Sequence, residues 1–218
     1  NERAGTGAVA VSDDLHTLVS HMQRAWAETD GLFDPTVLTA MRAWGYDDDF
    51  ATVAARTAVT AAVAATSAPG MAQVRITDDA VSLPAGVGLD PGAIGKGLAA
   101  DLIATDLLAA GATGVLVNLG GDIALGGEPI ADPDTDASWH ITIDDERSPD
   151  TVLETIALPA PLAHAGIATS TTLTRRWAQG RRHHVIDPRT GAMGADDLVQ
   201  VTVVAVQAWW AEAAATAA

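Results

Sequence analysis

The sequence predicts an α+β fold, and three observations carry that prediction. Apolar residues recur at helical spacing through the first part of the chain, period-two runs bounded by turn residues fill most of the rest, and one long helical stretch interrupts them. The regular strand–helix alternation of a parallel sheet is absent. With 218 residues and 48% hydrophobic content the chain can bury a substantial core, and it is read as a single domain over 1–218.

After a short apolar run from Ala8 to Val11, Ser12 is an N-cap candidate for an amphipathic helix carrying Leu15, Leu18, Val19, Met22 and Trp26. A turn at Asp30 and Gly31 leads to Phe33-Asp34-Pro35-Thr36, where the proline excludes Asp34 from helical geometry and starts the next helix, ending near Gly45. A third helix is predicted over Ala51 to Ala65, closed by Ser67-Ala68-Pro69-Gly70. The period then changes to two. Val74 to Thr77 and Val81 to Leu83 predict a hairpin across Asp78 and Asp79, and a strand at Leu89-Asp90 runs into a glycine-rich turn.

Helical spacing returns from Gly95 to Ala110, with Gly111 placed to end the helix, and Val115 to Val117 is a buried strand. The order strand, Gly-Gly turn, strand sets Asn118 to Asp122 at a sheet end. Ile130 to Asp150 is acidic and proline-containing around one strand, His140 to Ile143, and is predicted to be a surface excursion. Further strands are expected at Thr155 to Leu158, Gly166 to Thr169, His184 to Ile186 and Gln200 to Val206, before an alanine-rich helix reaching Ala218.

Charge narrows the function classes. Twelve basic against 28 acidic residues give a formal net charge of −16, which repels nucleic acid and anionic lipid, so no nucleic-acid partner is expected. An anionic small molecule then needs local compensation from a metal, backbone N–H groups or a placed Lys. No cysteine is present, which excludes disulfides, thiolate metal sites and a thiol nucleophile. The chain has neither a signal-peptide pattern at Asn1-Glu2-Arg3 nor a run of about 18 apolar residues, so no membrane span is expected within it.

Four clusters bear chemistry. Leu89-Asp90-Pro91-Gly92-Ala93-Ile94-Gly95-Lys96-Gly97 enters a helix whose free N–H groups and Lys96 suit a diphosphate, although it is equally a tight turn with an exposed lysine. It is not a P-loop, because no Ser or Thr follows the Gly-Lys pair. Asn118-Leu119-Gly120-Gly121-Asp122 lets a ligand approach the backbone closely, or is simply a β-turn. In His183-His184-Val185-Ile186-Asp187-Pro188-Arg189-Thr190-Gly191, His184 is a candidate general base or an ordinary core-edge residue. Glu212 and Thr216, four apart on the last helix, offer two hard oxygens on one face, suited to Mg²⁺, or mark a solvated face.

Taken in this order with Asp30-Gly31-Leu32-Phe33-Asp34-Pro35-Thr36 and Ala168-Thr169-Ser170, these clusters resemble the ApbE family of FAD:protein FMN transferases across essentially the whole chain. The resemblance implies a mixed, mainly antiparallel sheet packed with helices, T-fold-like. It implies Mg²⁺ held by the Ala93 carbonyl, Glu212 and Thr216, with FAD as substrate contacted by Leu32, Phe33, Asp34, Asp90 and Lys96, and Asn118, Gly120, Gly121 and Asp122 shaping the nucleotide pocket. His184 would help deprotonate the acceptor hydroxyl, with Lys96 also in the reaction site. FMN would pass to a Thr or Ser of an acceptor flavoprotein subunit and AMP would leave.

Two positions depart from the family pattern: Glu212 stands where Asp is usual, and Thr171 where Gly follows Ala-Thr-Ser. The resemblance also leads us to expect a strand upstream of Asn1 and further helix and strand beyond Thr216. Members are either cytoplasmic or exported and anchored, which leaves location open. Two alternatives share the residues: an FAD pyrophosphatase that yields FMN and AMP, and a non-catalytic FAD-binding protein.

Overall fold

A computed structural model describes residues 1–56, 66–130, 137–194 and 197–218. The chain forms two compact units, Asn1–Ala93 with Thr172–Val199 and Thr216–Ala218, and Ile94–Thr171 with Gln200–Ala215.

In the first unit, α1 spans Asp13–Glu28, and the Ser12 side chain accepts from the Leu15 N–H as its N-cap. Val19, Met22 and Ala25 form its buried stripe. Strand β1 (Val9–Ala10) pairs antiparallel with β3 (Ala80–Ser82), which also pairs with β2 (Arg75–Ile76), so the predicted hairpin gains a third strand. Asp34 is extended at φ −141° and caps a 3-10 turn, Pro35–Val37, through the Thr36 N–H; α2 (Leu38–Ala43) follows directly. Of the predicted third helix, Phe50–Ala55 is α3, capped by Asp49; residues 57–65 lie outside the described residues.

This unit packs around aromatics. Trp177 stacks on Tyr46 with ring centroids 5.3 Å apart and donates its indole N–H to the Trp44 carbonyl at 3.0 Å. The buried Arg182 donates to that same carbonyl at 2.6 Å and lies 5.2 Å from the Trp44 ring centroid, so it is a structural cation.

The second unit is built on a four-stranded antiparallel sheet in the order β4 (Gly114–Leu119), β5 (Asp122–Gly127), β8 (Leu162–Thr171), β9 (Gln200–Ala205). Helix α4 (Gly95–Ala109) ends as predicted: Gly111, at φ +99°, donates to Leu108 and Ala112 to Leu107, a paired C-terminal cap. Ala100 and Ala104 of α4 pack on Val115 and Ala124, with Ala208 at the start of α5 (Ala208–Ala217) in the same cluster. Small side chains there let helix and sheet backbones approach closely.

Strands β6 (Ser138–Asp145) and β7 (Ser148–Pro159) form a long hairpin, which corrects the described part of the predicted surface excursion at Ile130 to Asp150; residues 131–136 of it lie outside the described residues. Trp139, Ile141 and Ile143 alternate with polar residues, and with Ile156 and Leu158 they pack against Ile123, Leu125, Ala165 and Ile167. Apolar alternation prevails over the acidic, proline-containing composition because the side chains at every second position are the ones removed from water. Strand β5 is therefore buried on both faces.

Two further strand expectations are corrected. Leu89-Asp90 is irregular, its Asp90 N–H donating to the Pro35 carbonyl at 2.8 Å. His184 to Ile186 makes only an isolated bridge between Ile186 and Met193, because the chain closes on itself: Gly194 donates to Val185 and Asp187 to Ala192.

Candidate functional site

The position of α5 fixes the most unusual charges in the second unit. Ala208 begins that helix against two glycines. A Cβ on Gly97 of α4 would lie 2.5 Å from the Ala208 carbonyl oxygen, and one on Gly166 of β8 would lie 2.2 Å from the Ala208 nitrogen. Neither position has room for a side chain. The first N–H groups of α5 need acceptors, and Gln207 is a poor capping residue. Asp101, from the middle of α4, supplies them: its carboxylate accepts from Ala208 and Trp209, both at 2.9 Å.

Asp101→Ala should therefore cost about 0.5–2 kcal/mol, the usual range for a lost helix cap. Urea denaturation measures it; a midpoint equal to that of the unsubstituted chain would remove the borrowed cap from the account. Sequence reading overlooked Asp101. The available signal was a C-terminal helix beginning without Ser, Thr, Asp or Asn before it.

One turn beyond Ala208, Glu212 faces the start of α4. Its side chain is 5% exposed; one oxygen accepts from Lys96 Nζ at 2.5 Å and the other from the Gly97 N–H at 2.7 Å. Lys96 Nζ also contacts Asp122 at 2.8 Å, an aspartate likewise 5% exposed in its side chain. The structure thus unites Lys96, Asp122 and Glu212, drawn from three of the predicted clusters. Two carboxylates and one ammonium leave this cluster with an excess negative charge. Burial, and then the charge of Asp122, push the Glu212 carboxyl up to about 7 against the pull of Lys96 and the Gly97 N–H. Burial opposes the charge on Lys96, but Glu212 and Asp122 outweigh it and hold the ammonium above its ordinary value.

Asp122 is presented by the β4–β5 hairpin. Gly120 and Gly121 both have positive φ, 69° and 99°, the two-residue turn that suits the twist of antiparallel strands. The Asn118 side chain accepts from the Gly121 N–H at 2.8 Å and closes the turn. Asn118, Gly120 and Gly121 are exposed at this sheet end, whereas Asp122 turns inward.

The remaining predicted residues belong to the first unit. The Asp34 carboxylate is buried and accepts from both the N–H and hydroxyl of Thr36, at 2.8 and 2.6 Å; burial raises its pKa despite these bonds. Phe33 is a core residue at 2% exposure, while Leu32 is 40% exposed. Asp90 accepts from the Gly92 N–H at 2.9 Å, shaping the turn that contains half-buried Ala93. His183 is buried and His184 half-buried. Asp187 holds the following turn, accepting from the Arg189 backbone and guanidinium, and this partner lowers its pKa. Thr216, half-buried, lies one helical turn after Glu212 on α5.

Among the described residues, no three His, Asp or Glu side chains gather as a metal cage. A divalent ion here would depend on carbonyl and hydroxyl donors and on a ligand's phosphates, the sparse protein set typical of Mg²⁺. The hard oxygens and excess negative charge at Glu212 and Asp122 fit such an ion. No described helix is long and apolar enough to cross a membrane.

These features define a class: an antiparallel α+β protein whose buried charges collect where the start of one helix meets the middle of another. The ApbE family model matches residues 1–218, and the chain belongs to that family. It is 35% identical to an FAD:protein FMN transferase of Rhodobacter capsulatus over 95% of this chain and 38% of the relative. It is 29% identical to one of Treponema pallidum over 100% of this chain and 62% of the relative. The chain thus spans between 38% and 62% of the length of these two curated relatives. Among solved structures, the ApbE protein of Thermotoga maritima superposes with a TM-score of 0.78 at 27% identity, covering 98% of this chain and 67% of that one. The flavin transferase ApbE of Vibrio cholerae gives 0.72 at 26% identity, with coverage of 98% and 66%.

Proposed function

We propose that this chain carries the FAD site of an FAD:protein FMN transferase, moving FMN from FAD to a Thr or Ser hydroxyl of an acceptor flavoprotein and releasing AMP. Its relatives bear that name over nearly the whole of this chain. The observation that carries the reading is the Lys96–Asp122–Glu212 cluster, with both carboxylates buried, at a helix start: an acidic chain has gathered there an ammonium and oxygen donors of the kinds that a diphosphate and its metal require.

Glu212, Thr216 and the Ala93 carbonyl would hold Mg²⁺, which when bound spreads the negative charge developing on the phosphoryl oxygens. Lys96 offsets charge on the diphosphate. Leu32, Phe33, Asp34 and Asp90 would border the FAD, with Asn118, Gly120, Gly121 and Asp122 on the nucleotide side. His184 accepts the proton of the acceptor hydroxyl. The hydroxyl oxygen forms a bond to the FMN-side phosphorus, the bond from that phosphorus to the bridging oxygen breaks, and AMP departs with that oxygen. We read residues 1–218 as one functional domain. Location is left open between cytoplasmic and exported forms.

The test is incubation with FAD, Mg²⁺ and a flavoprotein subunit bearing a Thr or Ser motif, followed by denaturing electrophoresis. Flavin fluorescence that remains on the acceptor band is the expected result. Free FMN and AMP without a labelled acceptor would replace the transferase by a pyrophosphatase, and FAD binding without AMP release would reduce it to a binding protein.

A further inference from the structure

The ion pairs of Lys96 carry a consequence for how metal and substrate enter, which rests on the reading above. Lys96 is the only lysine among the 12 basic residues of the chain. Its ammonium contacts Glu212 at 2.5 Å and Asp122 at 2.8 Å, both nearly buried, while its own side chain is 38% exposed. The partners are fixed and the lysine side chain is part-exposed. Glu212 is held by the Gly97 N–H and by α5, and Asp122 by its place directly after a two-glycine turn. A lysine is a compact charge on a flexible four-carbon stem, so it can leave two fixed acceptors without moving the backbone.

The charges favour that exchange. Two carboxylates need more than one ammonium for neutrality, yet a divalent cation together with the ammonium exceeds what they need. The ammonium is then available to the doubly negative diphosphate of FAD, which would otherwise face a chain of net charge −16. We propose that Lys96 is an exchangeable counter-ion: it pairs with Asp122 and Glu212 in the cation-free protein, and moves to the substrate diphosphate when a divalent cation takes the Glu212 carboxylate. Lys96 and the cation thus compete for one set of oxygens, and cation binding prepares the protein for FAD.

Because Lys96 is the sole lysine, an amine-acylating reagent followed by peptide mass spectrometry reads it directly in the unsubstituted chain. Mn²⁺ alone should accelerate Lys96 acylation by about fivefold or more as the ammonium is released, and adding FAD should suppress it again. Calorimetry with Mn²⁺ supplies the second arm: Lys96→Gln should bind Mn²⁺ about tenfold more tightly without FAD, because a competing charge is gone. Lys96→Arg should stay near the unsubstituted affinity. A lysine that merely held the fold together would give the opposite sign, with weaker Mn²⁺ binding in Lys96→Gln.

An acylation rate indifferent to Mn²⁺, or Mn²⁺ affinity unchanged or reduced in Lys96→Gln, overturns the exchange. If the unsubstituted chain binds no Mn²⁺, the exchange and the metal assignment fall together. Failed FMN transfer with the Lys96 response intact removes only the proposed activity.

Discussion

Glu212→Ala is expected to abolish metal-dependent release of AMP from FAD, a loss of roughly 100-fold or more if the metal contributes the several kcal/mol usual for phosphoryl chemistry. The same substitution should change folding stability only modestly, because leaving the buried Gly97 N–H without its acceptor costs roughly 1–3 kcal/mol and removing an unfavourably buried carboxylate offsets it. Glu212 is buried, and its carboxyl is pushed up to about 7 by that burial and by Asp122, so keeping it ionised at neutral pH works against folding. Its removal orphans no buried charge, since Lys96 remains paired with Asp122. Glu212→Asp, which restores the residue usual in the family, should recover part of the rate. AMP release as fast as in the unsubstituted chain would remove Glu212 from the metal shell, and a large drop in melting temperature would contradict the electrostatic argument.

Gly166→Ala should lower stability sharply. The added Cβ would meet the Ala208 nitrogen at 2.2 Å and the Gln207 carbonyl carbon at 2.3 Å, backbone atoms that cannot rotate aside. Overpacking commonly costs 1–3 kcal/mol when side chains can adjust, so about 3 kcal/mol or more is expected here. Gly97→Ala acts on the same helix from the other side, 2.5 Å from the Ala208 oxygen, and displaces Glu212 from Lys96 as well. Denaturant midpoints measure both. A Gly166→Ala midpoint within about 0.5 kcal/mol of the original, the range of neutral surface changes, would mean that α5 can shift freely.

These glycines mark where the sequence was legible and where it was not. Local signals located α1 with its Ser12 cap, α4 with its Gly111 stop, the Gly120-Gly121 hairpin and the final helix, because each depends on a few adjacent residues. Gly97 was legible as part of a motif but not as a contact with Ala208, which lies 111 positions away in the chain. Asp101 was missed for the same reason, since it caps a helix more than 100 residues downstream. At Ile130 to Asp150, acidic and proline composition masked the alternation of Trp139, Ile141 and Ile143 that decides burial. His184 to Ile186 has strand composition, but its backbone bonds go to its own loop.

The candidate site was legible as residue types and only partly as geometry. Lys96, Asp122 and Glu212 were each picked out, for phosphate, nucleotide and metal respectively. That they pair with one another follows from the seating of α5 on two glycines, which no local pattern encodes.

The central claim is that the acceptor hydroxyl, and not water, takes the FMN half of FAD. The most direct measurement is the ratio of AMP released to flavin covalently bound on the acceptor, read by chromatography and intact mass in a single incubation with FAD and Mg²⁺. The account predicts equal amounts of the two. AMP accompanied by free FMN, with the acceptor's mass unchanged, would contradict it.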